Sequence, residues 1–225
     1  MDALDCIFTR RSVRDYIGKK VESEKLANIL NAGRLAPNAG NVQELKFIVV
    51  TESSTISKIA QVCEEQTWME SAPLHIVVCS EASRLEANYG EKGEKIFSLQ
   101  NSTAALENMS LAAHAQGLGS CFVAAFNDKD LKELLGIPNS VVIGGVLIIG
   151  YAAEKPKEPQ KLALENIAFV EKWGNRVKNA DVWLENYSGS FQKSVEKTKE
   201  KVKKTTHEVI SKLRDRIKQH KHKNL

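Results

Sequence analysis

Residues 94–116 form a long helical pattern that is apolar around most of its circumference. Because a helix of this kind has no side that water can cover, it must be packed against other elements on most sides. We therefore predict a central, buried helix that is ended by Gly117 and Gly119. Its apolar members are Phe97, Leu99, Ala104, Ala105, Leu106, Met109, Leu111 and Ala112.

Strand-like and helix-like patterns alternate along the rest of the chain. Helices are predicted over residues 2–9 with Asp2 as cap, from Ser23 as cap to Gly33, over residues 54–65, and after Asp128 as cap. Strands are predicted over residues 45–51, 74–80, 120–125 and 141–151. This alternation predicts a layered α/β or α+β fold.

The composition is that of an ordinary soluble protein, with 225 residues, 42% hydrophobic and 27% charged. The net charge of +4 arises near the end of the chain. Residues 181–225 hold 12 Lys/Arg against 6 Asp/Glu, whereas residues 1–180 hold 20 against 22. There is no signal-peptide pattern, and the longest apolar run is too short to cross a bilayer. We expect a cytoplasmic protein.

The basic end of the chain predicts a separate helical extension. Residues 190–220 contain neither proline nor glycine, and Val195, Val202 and Val209 recur every seven residues among lysines. We therefore divide the chain into a domain of residues 1–180 and an amphipathic basic helix within 181–225. Three roles stay open for this helix: packing across a dimer, docking on an anionic membrane or acidic partner, and contact with nucleic acid. The last is not expected, because interleaved aromatic residues are lacking.

Cysteines and histidines do not indicate a metal site. Cys6, Cys63, Cys79 and Cys121 lack the spacing of zinc or redox motifs, and their apolar surroundings are typical of reduced core cysteines. The five histidines are equally scattered, at positions 75, 114, 207, 220 and 222. We expect no metal ion in the reaction.

A cluster of cations lies close to the N-terminus, at Arg10-Arg11-Ser12-Val13-Arg14. Guanidinium groups offer donor pairs that match phosphate oxygens, and a serine hydroxyl adds one more. Alone, the cluster is better explained by a solvated basic patch.

Further motifs make the cluster more specific. It is followed by Ala36-Pro37-Asn38-Ala39-Gly40-Asn41-Val42-Gln43, by Gly117-Leu118-Gly119-Ser120-Cys121, by Leu135-Gly136-Ile137-Pro138, and by residues 150–156. In this order and spacing the set resembles the nitroreductase family of FMN-dependent oxidoreductases, over about residues 1–175. The resemblance implies an α+β fold around a mostly antiparallel sheet. It also implies an intertwined homodimer with two FMN sites at the interface and the 94–116 helix in the dimer core.

The resemblance also implies roles for individual residues. Arg10, Ser12 and Arg14 would hold the FMN phosphate and ribityl chain, Arg11 would give main-chain contacts to the ring edge, and Lys161 would complete the phosphate site.

Residues bordering the flavin ring are implied in the same way. Pro37, Asn38 and Ala39 would border the isoalloxazine across the dimer interface, Asn41 would bond ring or ribityl atoms, and Gln43 would assist. Gly119 and Ser120 lead into the stretch Phe122, Val123, Ala124 and Ala125, where main-chain N–H groups would face flavin N5 and O4. No catalytic side chain is implied, because the flavin itself carries the hydride.

The implied activity is a ping-pong reaction on tightly bound FMN. NAD(P)H would pass a hydride to N5, and an electron-poor acceptor such as a nitroaromatic, quinone or free flavin would then take its place. Two alternatives stay open: a specialised flavin protein of the same fold, dehalogenase-like or flavin-fragmenting, and a protein docked by its basic C-terminal helix.

The chain departs from the family pattern beside the predicted flavin loop. Asn38 stands where many relatives carry serine, and Glu44 stands where many carry proline. We expect this glutamate to alter what the pocket accepts. Candidates for a lid are Trp68, Met69 and residues 84–94, and Trp68 or Tyr89 would either stack on substrate or serve the core.

Overall fold

The computed structural model describes residues 1–176, and the chain divides into two units, Met1–Glu158 and Pro159–Leu225. The first unit contains four strands and six α-helices. The helices are α1 (Ala3–Thr9), α2 (Ser23–Arg34), α3 (Ser53–Val62), α4 (Ala82–Lys92), α5 (Ser98–Ala115) and α6 (Asp128–Leu135). The strands are β1 (Leu45–Val50), β2 (Leu74–Ser80), β3 (Gly119–Val123) and β4 (Val142–Gly150).

The four strands form one antiparallel sheet in the order β1-β2-β4-β3. Leu45 of β1 lies opposite Ser80 of β2, and Gly119 of β3 lies opposite Gly150 of β4. Every residue of the central strand β2 is buried, as expected for a strand covered on both faces. The antiparallel sheet implied by the family resemblance is confirmed.

Alternate side chains of the sheet enter two separate cores. Val77 and Cys79 of β2 pack on the face that carries α3 and α6, through Ile59 and Leu131. Leu74, Ile76 and Val78 of the same strand enter the opposite core, where α2 and α5 cover the sheet. This follows from the two-residue period of a strand.

The long central helix is shorter and more polar on its buried side than the sequence indicates. It starts at Ser98, after a π-helical turn over Gly93–Phe97. Its buried face includes Asn101 and Ser102, whereas Leu99 is 46% exposed. The prediction that this helix is buried on most sides is thus only partly met in the single chain. The small polar residues on its buried face let the helix approach the sheet closely.

Other predictions fail at helix ends. Ser23 is the first residue of α2 rather than its cap, and α2 continues through Gly33 to Arg34. The cap of α6 is Asn127, whose Oδ1 accepts from the Asp130 N–H at 3.2 Å, rather than Asp128. The prediction for α1 is confirmed, since Asp2 Oδ1 accepts from the Asp5 N–H at 2.9 Å. Helix α4 was not predicted.

The described part of the second unit comprises helix α7 (Leu164–Ile167) and a turn closed by a bridge between Phe169 and Arg176. The predicted basic helix of residues 181–225 and the domain boundary near residue 180 lie outside the described residues. None of the helices within residues 1–176 combines the length and hydropathy that a bilayer span requires.

Candidate functional site

Residues 10–14, which we call the arginine segment, lie along the outer edge of the edge strand β3. Ser12 forms a parallel bridge with Ser120, and the Val13 N–H donates to the Ser120 carbonyl at 3.0 Å. Val13 can come this close because its neighbour on the strand is Gly119, where a Cβ atom would lie only 2.8 Å from the Val13 side chain. The predicted glycine motif and the predicted arginine motif therefore meet in space.

Arg10 and Arg11 line a cavity of about 540 Å³, together with His114, Lys155 and residues 117–120. We call it the arginine-lined cavity. Two guanidinium groups and an ammonium group line it beside the carboxylates of Glu154 and Glu158, so cations outnumber anions by one and offer donors to an anion. Arg10 Nε is buried and has no hydrogen-bond partner among residues 1–176.

Glutamates lie beside these arginines at ion-pair distance. Arg10 Nε is 3.4 Å from Glu107 Oε1, and Arg11 Nη2 is 3.4 Å from Glu158 Oε1. Both carboxylates are exposed, at 54% and 83%, so solvent weakens these pairs.

Ser12 and Arg14 do not line this cavity. The guanidinium carbon of Arg14 lies 5.9 Å from the centre of the Trp68 ring, and the Arg14 main-chain N–H donates to Glu154 Oε1 at 2.8 Å. Burial raises the pKa of the neighbouring Cys121 thiol, while Arg14 and Ser12 oppose that rise. The structure thus divides the predicted phosphate cluster, because Arg10 and Arg11 line the arginine-lined cavity whereas Ser12 and Arg14 do not.

His114 also lines the cavity, and none of the sequence motifs indicates it as a site residue. Its Nε2 lies 2.8 Å from Thr9 Oγ1, which joins the last turn of α5 to the end of α1. Burial and the charges of Arg10 and Arg11 lower the pKa of His114. The sequence does show that His114 lies just before the Gly117 turn. That this turn lies beside Arg10 and Arg11 becomes visible only in the folded chain.

Residues 37–43, the 37–43 loop, precede β1 in a tightly specified conformation. Gly40, Asn41 and Gln43 have φ angles of 55°, 54° and 56°, in the left-handed region. Asn38 Oδ1 accepts from the Gln43 N–H at 3.1 Å. A Cβ atom on Gly40 would lie 2.0 Å from the Tyr89 hydroxyl, so another residue would displace the Tyr89 side chain and would also be strained at this left-handed φ.

Two buried residues hold this loop from below. The Ala39 N–H donates to Asn101 Oδ1 at 3.1 Å, and Asn101 Nδ2 donates to Glu44 Oε1 at 2.8 Å. Asn101 was missed because it lies in a pattern that looked apolar, and its contact with Glu44 spans 57 residues of chain.

The segment that follows β3 offers free backbone donors. Phe122 is 43% exposed and Val123 is buried, while Ala124 and Ala125 lie beyond the strand end and are exposed. Within the described residues, the Ala124 and Ala125 N–H groups donate no backbone hydrogen bond. They are available to an acceptor placed against this end of the sheet.

The remaining candidates lie elsewhere. Met69 is fully buried in the core, Trp68 packs partly buried against the same core, and Tyr89 is 41% exposed. Lys161 is exposed and belongs to the second unit, so its predicted role stays a prediction. No group of metal-ligating side chains occurs among residues 1–176.

Comparison with known proteins identifies the class of fold and site. The sequence model of the nitroreductase family matches residues 7–82 and 64–151, which include the arginine segment, the 37–43 loop and the β3 exit. An Archaeoglobus fulgidus protein named as a candidate NADH dehydrogenase/NAD(P)H nitroreductase is 34% identical over 158 residues, covering 68% of this chain and 87% of that protein. The chain belongs to the nitroreductase family.

Two further relatives carry more specific names. The Bacillus subtilis FMN reductase (NAD(P)H) is 27% identical, with 78% of this chain and 76% of that protein covered. The solved structure of an FMN-dependent nitroreductase from Clostridium difficile is 27% identical, with a TM-score of 0.64 over 74% of this chain and 98% of that one. This chain is accordingly an enzyme of the nitroreductase type.

Proposed function

We propose that this enzyme binds FMN tightly and uses NAD(P)H to reduce electron-poor acceptors, namely nitroaromatics, quinones or flavins, in a ping-pong reaction. The observation that carries the proposal is the arginine-lined cavity at the start of β3 together with the free N–H groups of Ala124 and Ala125 beyond the end of the same strand. The names of the FMN reductase and the FMN-dependent nitroreductase among its relatives support it.

The cation set fits a phosphate monoester. Arg10 Nε is a buried donor that makes no hydrogen bond within the described chain, although the exposed Glu107 carboxylate lies 3.4 Å away, so a ligand oxygen could take this bond. Arg10 and Arg11 would bind the phosphate in the cavity, with Lys155 adding charge. Ser12 and Arg14, which do not line the cavity, remain proposed ligands of the phosphate and ribityl chain. Lys161 remains a proposed further phosphate ligand.

The end of β3 fits the ring. In-plane donors orient a flavin and stabilise charge that develops during the reaction. We assign this role to the main chain of Val123, Ala124 and Ala125, which Gly119 and Ser120 lead into. FMN, when bound, would itself be the hydride carrier, taking a hydride at N5 from NAD(P)H and giving it to the acceptor. The side chain of Phe122 would flank this position, since it is half-exposed beside the free donors.

The proposed site needs the 37–43 loop of a second copy. In one chain this loop leads into β1, at the opposite edge of the sheet from β3. Three strand spacings separate these edges, about 14 Å. Half-exposed apolar side chains on α1 (Leu4, Ile7 and Phe8) offer surface for a partner. In a homodimer, Pro37, Asn38, Ala39, Asn41 and Gln43 would border the flavin bound by the other subunit.

The absorption spectrum of the purified protein tests this function. We expect flavin bands that bleach under anaerobic conditions when NADH or NADPH is added and return when menadione or a nitroaromatic follows. A protein without bound flavin that also fails to bind added FMN would overturn the proposal.

Light scattering tests the shared site and should give the mass of a dimer. A monomer that still turns over would overturn the shared site. The cytoplasmic location stays a prediction.

A further inference from the structure

His114 brings a titratable side chain to the wall of the arginine-lined cavity. It lies in the last turn of α5, where the partial negative charge of the helix end favours a cation. The rest of its surroundings disfavours one, because burial and the charges of Arg10 and Arg11 lower the pKa of His114. The imidazole is therefore largely neutral at neutral pH, although it lies where an anion would be bound.

The contact with Thr9 fixes which ring nitrogen carries the hydrogen. The Thr9 hydroxyl has one hydrogen, which the Asp5 carbonyl accepts at 2.5 Å, whereas the Met1 sulfur is 3.9 Å away. Toward His114 Nε2, at 2.8 Å, the Thr9 oxygen therefore accepts. Nε2 carries the hydrogen of the neutral ring, so protonation adds a hydrogen at Nδ1. Nδ1 makes no hydrogen bond within residues 1–176.

Charged groups of both signs surround this imidazole. Carboxylates, lysine and arginine ordinarily titrate far from neutral pH, whereas a histidine and a chain amino terminus titrate near it. These groups are Arg10, Arg11, Glu154, Lys155, Glu158 and the Met1 amino group around the cavity, Glu107 on α5, and Asp2 and Asp5 on the adjoining α1.

An anion in the cavity would reverse the balance that keeps His114 neutral. A phosphate monoester carries about 1.5 to 2 negative charges at neutral pH, which offsets the charges of Arg10 and Arg11. An opposite charge close to a histidine favours its protonated form, and the protonated ring has a second N–H to donate, at Nδ1. Anion binding and proton uptake therefore favour each other.

We propose that His114 is a further ligand of the anion in the arginine-lined cavity, and that its Nδ1 takes up a proton from water when a dianion binds. That this anion is the phosphate of FMN rests on the proposed function. FMN would then bind together with a proton, whereas riboflavin, which has no phosphate, would not. The affinity for FMN should therefore fall as pH rises, more steeply than the affinity for riboflavin.

The first test is an NMR titration of the His114 ring in the full chain, assigned by its loss in His114→Gln. It compares protein loaded with FMN against protein loaded with riboflavin, and flavin-free protein with and without saturating sulfate. Sulfate is the probe because it stays a dianion, whereas a phosphate itself protonates near about pH 6. We expect FMN and sulfate each to raise the pKa of His114. The same titration curve in all four states would overturn the proposal.

The second test is the pH dependence of sulfate affinity, followed by the amide shifts of residues 117–120 at the cavity wall. In the wild type, affinity should fall about tenfold between about pH 5 and about pH 8.5. His114→Gln keeps an N–H for Thr9 but cannot be protonated, so it should lose this dependence and match the wild type at the higher pH. Lys155→Met is the matched control, because removing a lysine charge should weaken binding equally at both pH values.

Three results separate this role from a structural one and from the proposed function. A loss of affinity in His114→Gln that is equal at both pH values would overturn the proposal, since it would show only a distorted cavity. Wild-type protein that binds FMN while the His114 titration stays unchanged would also overturn it and leave the proposed function standing. Wild-type protein in which sulfate acts on His114 but FMN does not bind would overturn the proposed function and leave His114 as an anion ligand.

Discussion

The two halves of the proposed site are held by opposite kinds of interaction. The 37–43 loop is anchored from below by the buried pair Asn101 and Glu44. The arginine-lined cavity is surrounded by ion pairs with exposed carboxylates, Glu107 and Glu158. Buried hydrogen bonds are costly to break and insensitive to salt, whereas exposed ion pairs contribute little and are screened.

This difference suits the tasks proposed for each half. A loop that borders a planar ring must keep one shape, so its bonds are buried and directional. A site for a phosphate must exchange its counter-ions readily, so glutamates that hold the arginines loosely can give way to a dianion. The comparison predicts that changes to the loop affect stability, while changes to the cavity affect ligand affinity.

The largest effect is expected from Asn101→Leu. The substitution would leave Glu44 Oε1 without its donor and the Ala39 N–H without its acceptor, at a cost of about 2–6 kcal/mol in unfolding free energy for the two unsatisfied groups. Urea unfolding measures it. The matched control is Asn108→Leu on the same helix, because Asn108 donates only to the neutral Ala32 carbonyl and its loss should cost about 1 kcal/mol. Equal losses in both variants would contradict the special role of the buried pair.

Arg10→Met should act on the ligand instead. Loss of one charge-assisted bond to phosphate is expected to weaken FMN binding about 10- to 100-fold, measured by quenching of flavin fluorescence. Riboflavin, which lacks the phosphate, should bind the variant and the wild type alike. Arg34→Met serves as the surface control. An equal loss of affinity for riboflavin would show that Arg10 does not bind the phosphate.

A smaller change is expected from Glu158→Gln. Removing the exposed carboxylate beside Arg11 should strengthen FMN binding about two- to fivefold at low salt, and the difference should vanish near 1 M salt. Titrations at both salt concentrations measure it. A gain that persists at high salt would argue that the pair is effectively buried.

The smallest effect concerns His114, whose pKa lies below its ordinary value of 6.5 because of burial and the charges of Arg10 and Arg11. In Arg10→Met one of these charges is gone, so the pKa should rise toward 6.5 by a fraction of a unit, measurable by NMR titration. In the wild type, the unfolded chain takes up this proton first as pH falls below 6.5, so stability should decrease there. An unchanged His114 pKa in the variant would show that the charge of Arg10 does not act on His114.

Much of the fold was predictable from the sequence, for clear physical reasons. The strand Leu74–Ser80 was found with its correct ends, because a continuous β-branched run bounded by Pro73 leaves few alternatives. The family motifs also identified the arginine segment and the 37–43 loop. The cap of α6 was misplaced because Asn127 and Asp128 are both good caps and only backbone geometry distinguishes them.

The supports of the site were not predictable. Asn101 and Ser102 appear polar in sequence, yet both are buried where α5 meets the sheet. The contact of Thr9 with His114 spans 105 residues and exists only once α1 and α5 are packed. Periodicity reports local structure, so partners that are distant in the chain escape it.

The edge position of the arginine segment has a consequence for the order of folding. The main-chain N–H groups of Val13 and Arg14 donate to Ser120 and to Glu154, the latter 140 residues further along the chain. Residues made first by the ribosome therefore wait for residues made much later, and such long-range closure is slow. The arginine-lined cavity can be complete only after Glu158 has emerged, so the site proposed for the flavin phosphate forms after synthesis of these residues rather than during it.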